Sequence, residues 1–438
     1  MKYICGIDIG SSKVAACLGA FRGKELVNLW WDSVPAVGVK QGYLQDIQGL
    51  TASVSQLLKK IKSKSGATVR SAYLGIASQN IIAKHSKAVI ALAERGNKSV
   101  TDADIRRARQ QAQILGSCLE EEMLHAATLS YRIDSEDEVT TPLGLYGHQL
   151  KVDMYLICVK SAYINTITEI ADRLGLKLNG VTLSGLAASQ AVFNPGKTKG
   201  LNVLCDVGKD ITQILIFYDN ELRHCQMLGI GGEDLTLGLY RELNIPYSLA
   251  EEVKVSYGRV QHNYNFQNPE RGSGSGLKDI SQLEVPDKEI IIKKDKDYST
   301  LSQNLIIQIL SRGSRCIAEA IRDAVKPHIL AIASPVFPEK VTLYVSGRTA
   351  CLDGFLESLE VVVGLPVKMA RITNSTLLAP LMRQHLLYGA PILNYLASFG
   401  LIADAIKLEH RASLPQPNLR NFPSYILYKL KEIYQEYF

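Results

Sequence analysis

The first apolar run of the chain, YICGIDIG, breaks at Gly10-Ser11-Ser12 and resumes as VAACLG, which predicts a strand, a tight turn and a second strand. Near the middle the pattern returns as LNVLCDVG, then Lys209-Asp210-Ile211-Thr212, then QILIF. Both buried runs end in Asp-x-Gly, at Asp8-Ile9-Gly10 and Asp206-Val207-Gly208. Two such hairpins half a chain apart predict an internal repeat, with two related domains facing each other across a cleft.

Between them the pattern changes. Thr101 to Asp104 has capping-box spacing, and the helix that follows puts Ile105, Ala108, Ala112 and Leu115 on one face. Arg106, Arg107 and Arg109 fall off that face and read as a solvated surface. TPLGLYGHQLKVDMYLICVK then predicts a glycine-punctuated turn and a long strand. Further on, GIGGEDLTLGLYRELN leads from a Gly-Gly turn into a helix with Leu235, Leu239 and Leu243 on one stripe. Ser248 to Glu251 has capping-box spacing again and predicts a helix through Tyr257. HNYNFQNPERGSGSGLKD (262–279) has neither periodicity nor apolar density and reads as an exposed loop. A helix is expected over about 300–326. The strand VTLYVSG then leads through Arg348-Thr349-Ala350 into another helix.

After Pro415-Gln416-Pro417 the chain ends in FPSYILYKLKEIYQEYF. At 100° per residue Ile426, Leu430, Ile433 and Tyr437 share a face flanked by Leu427, Tyr434 and Phe438, with Lys429, Glu432, Gln435 and Glu436 mainly opposite. Such an amphipathic helix suits a membrane interface, or a dock on its own domain or a neighbouring subunit. Its two lysines and two glutamates nearly cancel, so apolar burial must carry any membrane binding.

A chain of 438 residues is long for one core, which predicts more than one domain. The formal charge of +6 is small for this length and the basic residues are scattered, which argues against nucleic acid as a partner. The eight cysteines lie far apart and read as small buried hydrophobes of a reducing compartment rather than metal ligands. Without a signal peptide or a membrane-spanning run, the expected location is cytoplasmic.

The two Asp-x-Gly turns carry the chemistry. Glycine and serine let backbone N–H groups approach phosphate oxygens, so Gly10, Ser11 and Ser12 are close donors and Lys13 adds a positive charge. Asp8 and Asp206, each at a strand end, can hold Mg2+ through its water shell. Two such hairpins clasp a triphosphate, and Ser346-Gly347 supplies a third glycine turn after a strand. Gly231-Gly232 either points helix N–H groups into the cleft or makes an ordinary helix entry. Glu251 and Lys254, three apart on one helical face, either reach a ribose or form an exposed ion pair. No GxSxG, HExxH or P-loop sequence offers a different chemistry.

IDIGSSKVA, the mid-chain DVG hairpin, GIGGEDLT, AEEVKVSYG and LYVSGRTACLDGF stand in the order found in the actin-like ATPases, and the chain resembles that superfamily over roughly 3–405. Pro142-Leu143-Gly144-Leu145-Tyr146-Gly147, the TDADIRRAR helix and LSGLAASQAV resemble the FtsA family of bacterial cell-division proteins. The resemblance implies an α/β, actin-like fold: two RNase H-like domains facing a nucleotide cleft, with an FtsA-type inserted subdomain. It places the first actin-like domain at 1–83 with a return helix at 386–412, and the insertion at 84–160. The second domain then covers 161–385, with a flexible loop at about 262–287. A linker at 413–421 and the terminal helix at 422–438 follow.

It further implies ATP and Mg2+ as cofactors, and assembly into filaments with other copies. The implied partners are the C-terminal peptide of FtsZ, later division proteins and the cytoplasmic face of the inner membrane at the division site. By position Asp8, Gly10, Ser11, Ser12 and Lys13 match the first phosphate loop, Asp206 and Gly208 the second, Glu251 and Lys254 the ribose helix, and Ser346-Gly347 the adenosine loop.

Two departures bear on activity. Where the family has DxGGGT, this chain has Lys209 and Asp210 in place of glycines, and Thr212 sits one position late. Lys209 can neutralise a phosphate. An inward Asp210 would repel one: two charges about 4 Å apart at an effective dielectric of about 20 exchange about 4 kcal/mol. Arg348 replaces the second glycine of the adenosine loop and either stacks on adenine or fills the pocket. Together they imply nucleotide binding with slow or impaired hydrolysis, and Gln190 is the nearest candidate to place a water. The rival readings are a PilM-like adaptor of a pilus machine and an actin-fold small-molecule kinase.

Overall fold

The computed structural model describes residues 1–92, 98–134, 137–194, 197–261, 288–294, 297–332, 341–383 and 390–411. The exposed loop expected at 262–279 and the terminal helix with its linker lie outside these residues. The chain divides into two compact units: Met1–Asn80 with Thr168–Leu401, and Ile81–Ile167 with the chain from Ile402 onward.

The first unit holds two five-stranded sheets of the same design. In one, Lys2–Ile9 pairs antiparallel with Lys13–Arg22, which pairs with Glu25–Pro35; on its other side lie Ser71–Ile76 and Lys177–Leu183, both parallel. In the other, Leu201–Val207 pairs antiparallel with Thr212–Tyr218 and that strand with Glu221–Leu228, while Thr342–Ser346 and Val367–Met369 add on in parallel. The duplication expected from two Asp-x-Gly turns is therefore present strand for strand. Asp8 and Asp206 are each the penultimate residue of the strand that opens its sheet.

These strands are continuous apolar runs because both faces are covered. Val203, Cys205, Ile214 and Ile216 join Leu235 and Leu239 of helix Gly232–Glu242, and Ile306, Leu310, Ile317 and Ile321 of helix Gln303–Ile332, in one core. That last helix runs past the expected end at about 326 and carries Pro327 inside it. Proline punctuation stops a helix less reliably when a long apolar face continues beyond it.

The second unit is built on a four-stranded sheet in the order Glu138–Val139, Glu121–Ile133, Gln149–Lys160, Ile81–Ala91, with helix Asp102–Gly116 on it. Ala108 and Ala112 are fully buried against Val152, Met154 and Leu156. Leu115, expected on the same face, is 63% exposed because it falls at the edge of the stripe in the last turn. The capping box at Thr101 and Asp104 forms with both reciprocal bonds.

The one expected at Ser248 does not form. Helix Tyr247–Tyr257 starts after Pro246 with no side-chain cap, and Glu251 turns to other partners. Nor are all cysteines buried: Cys118, Cys316 and Cys351 are exposed. Among the described residues no helix is long and apolar enough to cross a membrane.

Candidate functional site

The turns that end the two opening strands face one cavity of about 560 Å³, whose lining lies wholly in the first unit. The size suits a small organic ligand. Asp8, Gly10, Ser11, Ser12 and Lys13 line it from the first hairpin; Asp206, Gly208, Lys209 and Asp210 from the second; Gly232, Glu251, Lys254, Gly347 and Arg348 close the remaining walls.

Each strand-end carboxylate is held by a hydroxyl from a different element. Ser184, the first residue of helix Ser184–Val192, donates to Asp8 Oδ1 at 2.5 Å. Ser346 donates to Asp206 Oδ1 at 2.8 Å. Gln213 Nε2 donates to Asp206 Oδ2 at 3.2 Å, while its Oε1 accepts the Gly185 N–H at 3.0 Å. Lys13 Nζ donates to Asn394 Oδ1 at 2.6 Å and stands 5.9 Å from the centre of the Tyr395 ring. Tyr395 in turn meets Trp31 edge-on at 6.5 Å, and Trp31 meets Phe399 at 5.3 Å.

Burial pushes the Asp8 carboxyl up to about 6; the Ser184 bond and Lys13 oppose this and Asp206 adds to it. Asp206 is raised by burial as well, against its bonds from Ser346 and Gln213 and the charge of Lys13. Burial pulls Lys13 down to about 8, opposed by both aspartates. Two carboxylates that disfavour each other's charge, with one cation between them, form a set that a divalent ion would relieve. No group of three His, Cys, Asp or Glu side chains gathers among the described residues, so a closed protein cage is not formed. The pair fits Mg2+, which keeps waters and takes one or two carboxylates together with phosphate oxygens.

The backbone corrects two expectations. The Gly10 N–H, expected as a phosphate donor, closes its own hairpin on the Lys13 carbonyl at 3.1 Å, as the Gly208 N–H does on that of Ile211 at 3.0 Å. The N–H groups of Gly231 and Gly232 are not turned to the cleft: Gly231 donates to Asp234 Oδ2 at 2.8 Å and Gly232 to the Gly208 carbonyl at 3.0 Å. Glu233 N–H goes to the Lys209 carbonyl at 2.8 Å, so this helix start is plugged by the second hairpin. Glycine is required there because a Cβ on Gly231 would stand 2.5 Å from the Lys209 oxygen. Gly347 has φ 90° and a would-be Cβ 2.2 Å from the Val207 oxygen, so it too lets a strand end and a turn touch.

Other candidates are placed as follows. Thr212 is buried and donates to the Ile230 carbonyl at 2.7 Å; it does not line the cavity, because its hydroxyl is used by the turn that leads into helix Gly232–Glu242. Lys209 lines the cavity and pairs with Glu233 Oε2 at 3.5 Å, 5.7 Å from the Tyr247 ring. Asp210 does face inward, 8% exposed, but its Oδ2 accepts the Gln41 N–H at 2.7 Å. Glu251 and Lys254 both line the cavity and also pair with each other at 2.6 Å, sharing Thr236. Burial pushes the Glu251 carboxyl up, yet the bonds from Lys254 and Thr236 outweigh it and hold it low. Arg348 is exposed on the cavity wall, and its charge is felt by Lys13 and Glu251. Gln190 lies outside the lining; its helix offers Ser184 and Ala188 instead.

Ser184, Gln213 and Asn394 escaped the sequence reading. A glutamine opening the apolar run QILIF was a usable signal, since a buried amide needs partners. For Ser184 and Asn394 nothing local marks the role.

Comparison with known proteins gives concordant results. A family model described as the SHS2 domain inserted in FTSA matches residues 78–158, and one described as cell division protein FtsA matches 203–384. Cell division protein FtsA of Pseudomonas aeruginosa is 30% identical over 260 residues, which span 58% of this chain and 61% of that protein. The FtsA of Neisseria meningitidis serogroup B is 25% identical over 421 residues, 95% of this chain and 92% of that one. Among solved structures, the PilM-PilN type IV pilus biogenesis complex aligns over 93% of this chain and 98% of its own with a TM-score of 0.58. At 14% identity that likeness is one of fold alone.

Proposed function

We propose that this chain, which belongs to the FtsA family of cell-division proteins and has an actin-like fold with an inserted SHS2 domain, binds ATP with Mg2+ in the cleft of its first unit. One observation carries the reading: Asp8, Lys13 and Asp206, from two hairpins about two hundred residues apart in sequence, meet on a single cavity. In this reading the 10–13 and 208–210 turns take the phosphates. Asp8 and Asp206 would hold Mg2+, which when bound would supply charge neutralisation there. Glu251 and Lys254 take the ribose side, with Gly347 and Arg348 beside the base, while Ser346, outside the lining, holds Asp206.

The wider role follows from the family. The protein assembles into filaments of its own copies, and holds the C-terminal peptide of FtsZ at the cytoplasmic face of the inner membrane. It also recruits later division proteins. It acts by binding and assembly, with slow turnover at most. Membrane attachment belongs to the amphipathic segment 422–438. A PilM-like adaptor is the weaker reading, since both family models that match are those of FtsA.

Titrating the full-length protein with a fluorescent ATP analogue and Mg2+, then chasing with unlabelled ATP, tests the binding step. Chaseable binding in the micromolar range, on the order of −8 kcal/mol, is expected. A well-folded protein that binds no analogue would sink the reading.

A further inference from the structure

Side chains from both nucleotide turns end on one small hairpin. Val39–Lys40 pairs antiparallel with Tyr43–Leu44, and the chain reverses at Gln41 (φ 50°) and Gly42 (φ 70°). Positive φ at both central residues is the geometry of a two-residue hairpin turn. Asp210 Oδ2 accepts the Gln41 N–H at 2.7 Å, and Ser11 Oγ accepts the next N–H, that of Gly42, at 3.4 Å. The tip is also wedged. A Cβ on Gly42 would stand 2.4 Å from the Ala77 carbonyl oxygen, 2.5 Å from Ser78 Cα and 2.9 Å from Ile211 Cδ1. Asp210 and Ile211 are buried there, 8% and 5% exposed.

We propose that the 39–44 hairpin is a strap that ties the two nucleotide turns together, with Asp210 as its hook. Ser11 and Ala77 belong to the first sheet's half of the site, Asp210 and Ile211 to the second, and the hairpin tip touches all four. Parting the halves must break a hydrogen bond to a carboxylate, one of the stronger kinds, and expose Ile211. Those same four residues line the cavity, so a phosphate group entering it meets the anchors of the strap. Asp210 then has two opposed effects on an anionic ligand: its charge disfavours entry, and its bond to Gln41 holds the two turns together around the site. Only the second depends on the hairpin.

The direction of the ligand effect rests on the nucleotide reading; the strap itself does not. Amide hydrogen exchange over 38–44 and 206–213 is compared for the full-length wild type, Asp210→Asn and Asp210→Ala. An asparagine keeps an acceptor for Gln41 and drops the charge, whereas alanine drops both. Exchange over 38–44 is expected to rise about tenfold or more in Asp210→Ala and less than about threefold in Asp210→Asn. With the fluorescent ATP analogue and Mg2+, Asp210→Asn should bind about threefold or more tighter than wild type, and Asp210→Ala should release the analogue about tenfold faster. Ser11→Ala, which cuts only the Gly42 bond, should raise exchange in the same segment by a smaller factor. Unchanged exchange over 38–44 in both Asp210→Ala and Ser11→Ala overturns the strap. A wild type that binds no analogue while exchange still rises in the variants overturns the nucleotide reading and leaves the strap supported.

Discussion

Burial moves the two charged groups at the head of the first hairpin in opposite senses, Asp8 up to about 6 and Lys13 down to about 8. Because the folded state holds the Asp8 proton more tightly than its ordinary value of 3.8, this residue's contribution to stability is complete below about pH 4. It is lost as pH rises through 6. Asp8→Asn, which keeps the acceptor for Ser184, should therefore stabilise the free protein at pH 7.5 by on the order of 2 kcal/mol, the full shift being discounted because the carboxyl opens onto the cavity. At pH 3.5 it should do almost nothing. Urea unfolding at the two pH values measures this, and an equal effect at both would show that the charge is not the cause. In the wild type, ionised Asp8 becomes scarce below pH 6, so Mg2+-dependent nucleotide binding should weaken about fivefold between pH 6 and 5.

At this scale the sequence was informative wherever a residue's role is set by its own strand end. Asp8, Lys13 and Asp206 stand where the turns put them. Thr212 and the amides of Gly231 and Gly232 do not face the cavity, because the second hairpin and its neighbours use those groups for themselves. Such internal use depends on contacts that no local pattern reveals.

Among the elements, helix Asp102–Gly116 shows how far a local signal reaches. Thr101 caps it, and Asp104, only 4% exposed, accepts from the Thr101 N–H at 3.1 Å, its hydroxyl at 2.6 Å and Lys98 at 3.2 Å. Burial pushes Asp104 up, but these bonds outweigh it and hold it below the usual carboxylate range, so its contribution is present above about pH 4 and fades on acidification. Thr101→Ala should cost about 1 kcal/mol and Asp104→Ala about 2–3 kcal/mol, the latter stranding Lys98 and two Thr101 donors. Hydrogen exchange of the helix amides in the full chain reports both; equal protection in Asp104→Ala and wild type would refute it. The same four-residue spacing failed at Ser248 because the helix already starts at Tyr247, after Pro246, and Glu251 is taken by Thr236 of the neighbouring helix and by Lys254 one turn on. A capping box is legible in sequence when nothing distant competes for its acid.

For the whole molecule, repetition was the legible property. Two Asp-x-Gly turns sufficed to expect two like sheets, and the strand orders agree position by position. What brings those sheets' turns to one cavity is long-range pairing, and the companions Ser184 and Asn394 come from segments whose local patterns gave no hint of it. The terminal segment sets a different test. Removing residues from Pro417 onward should leave ATP-analogue binding unchanged and abolish co-sedimentation with vesicles of a bacterial lipid composition; undiminished pelleting would assign attachment elsewhere.

The chain has only two tryptophans, and one of them, Trp31, lies a single aromatic ring away from the Lys13 ammonium. A ligand that draws Lys13 off the face of Tyr395 alters the electric field at the edge-on indole beyond it. The indole emission is therefore a built-in optical gauge of the cleft, readable in unlabelled protein and on the timescale of binding itself.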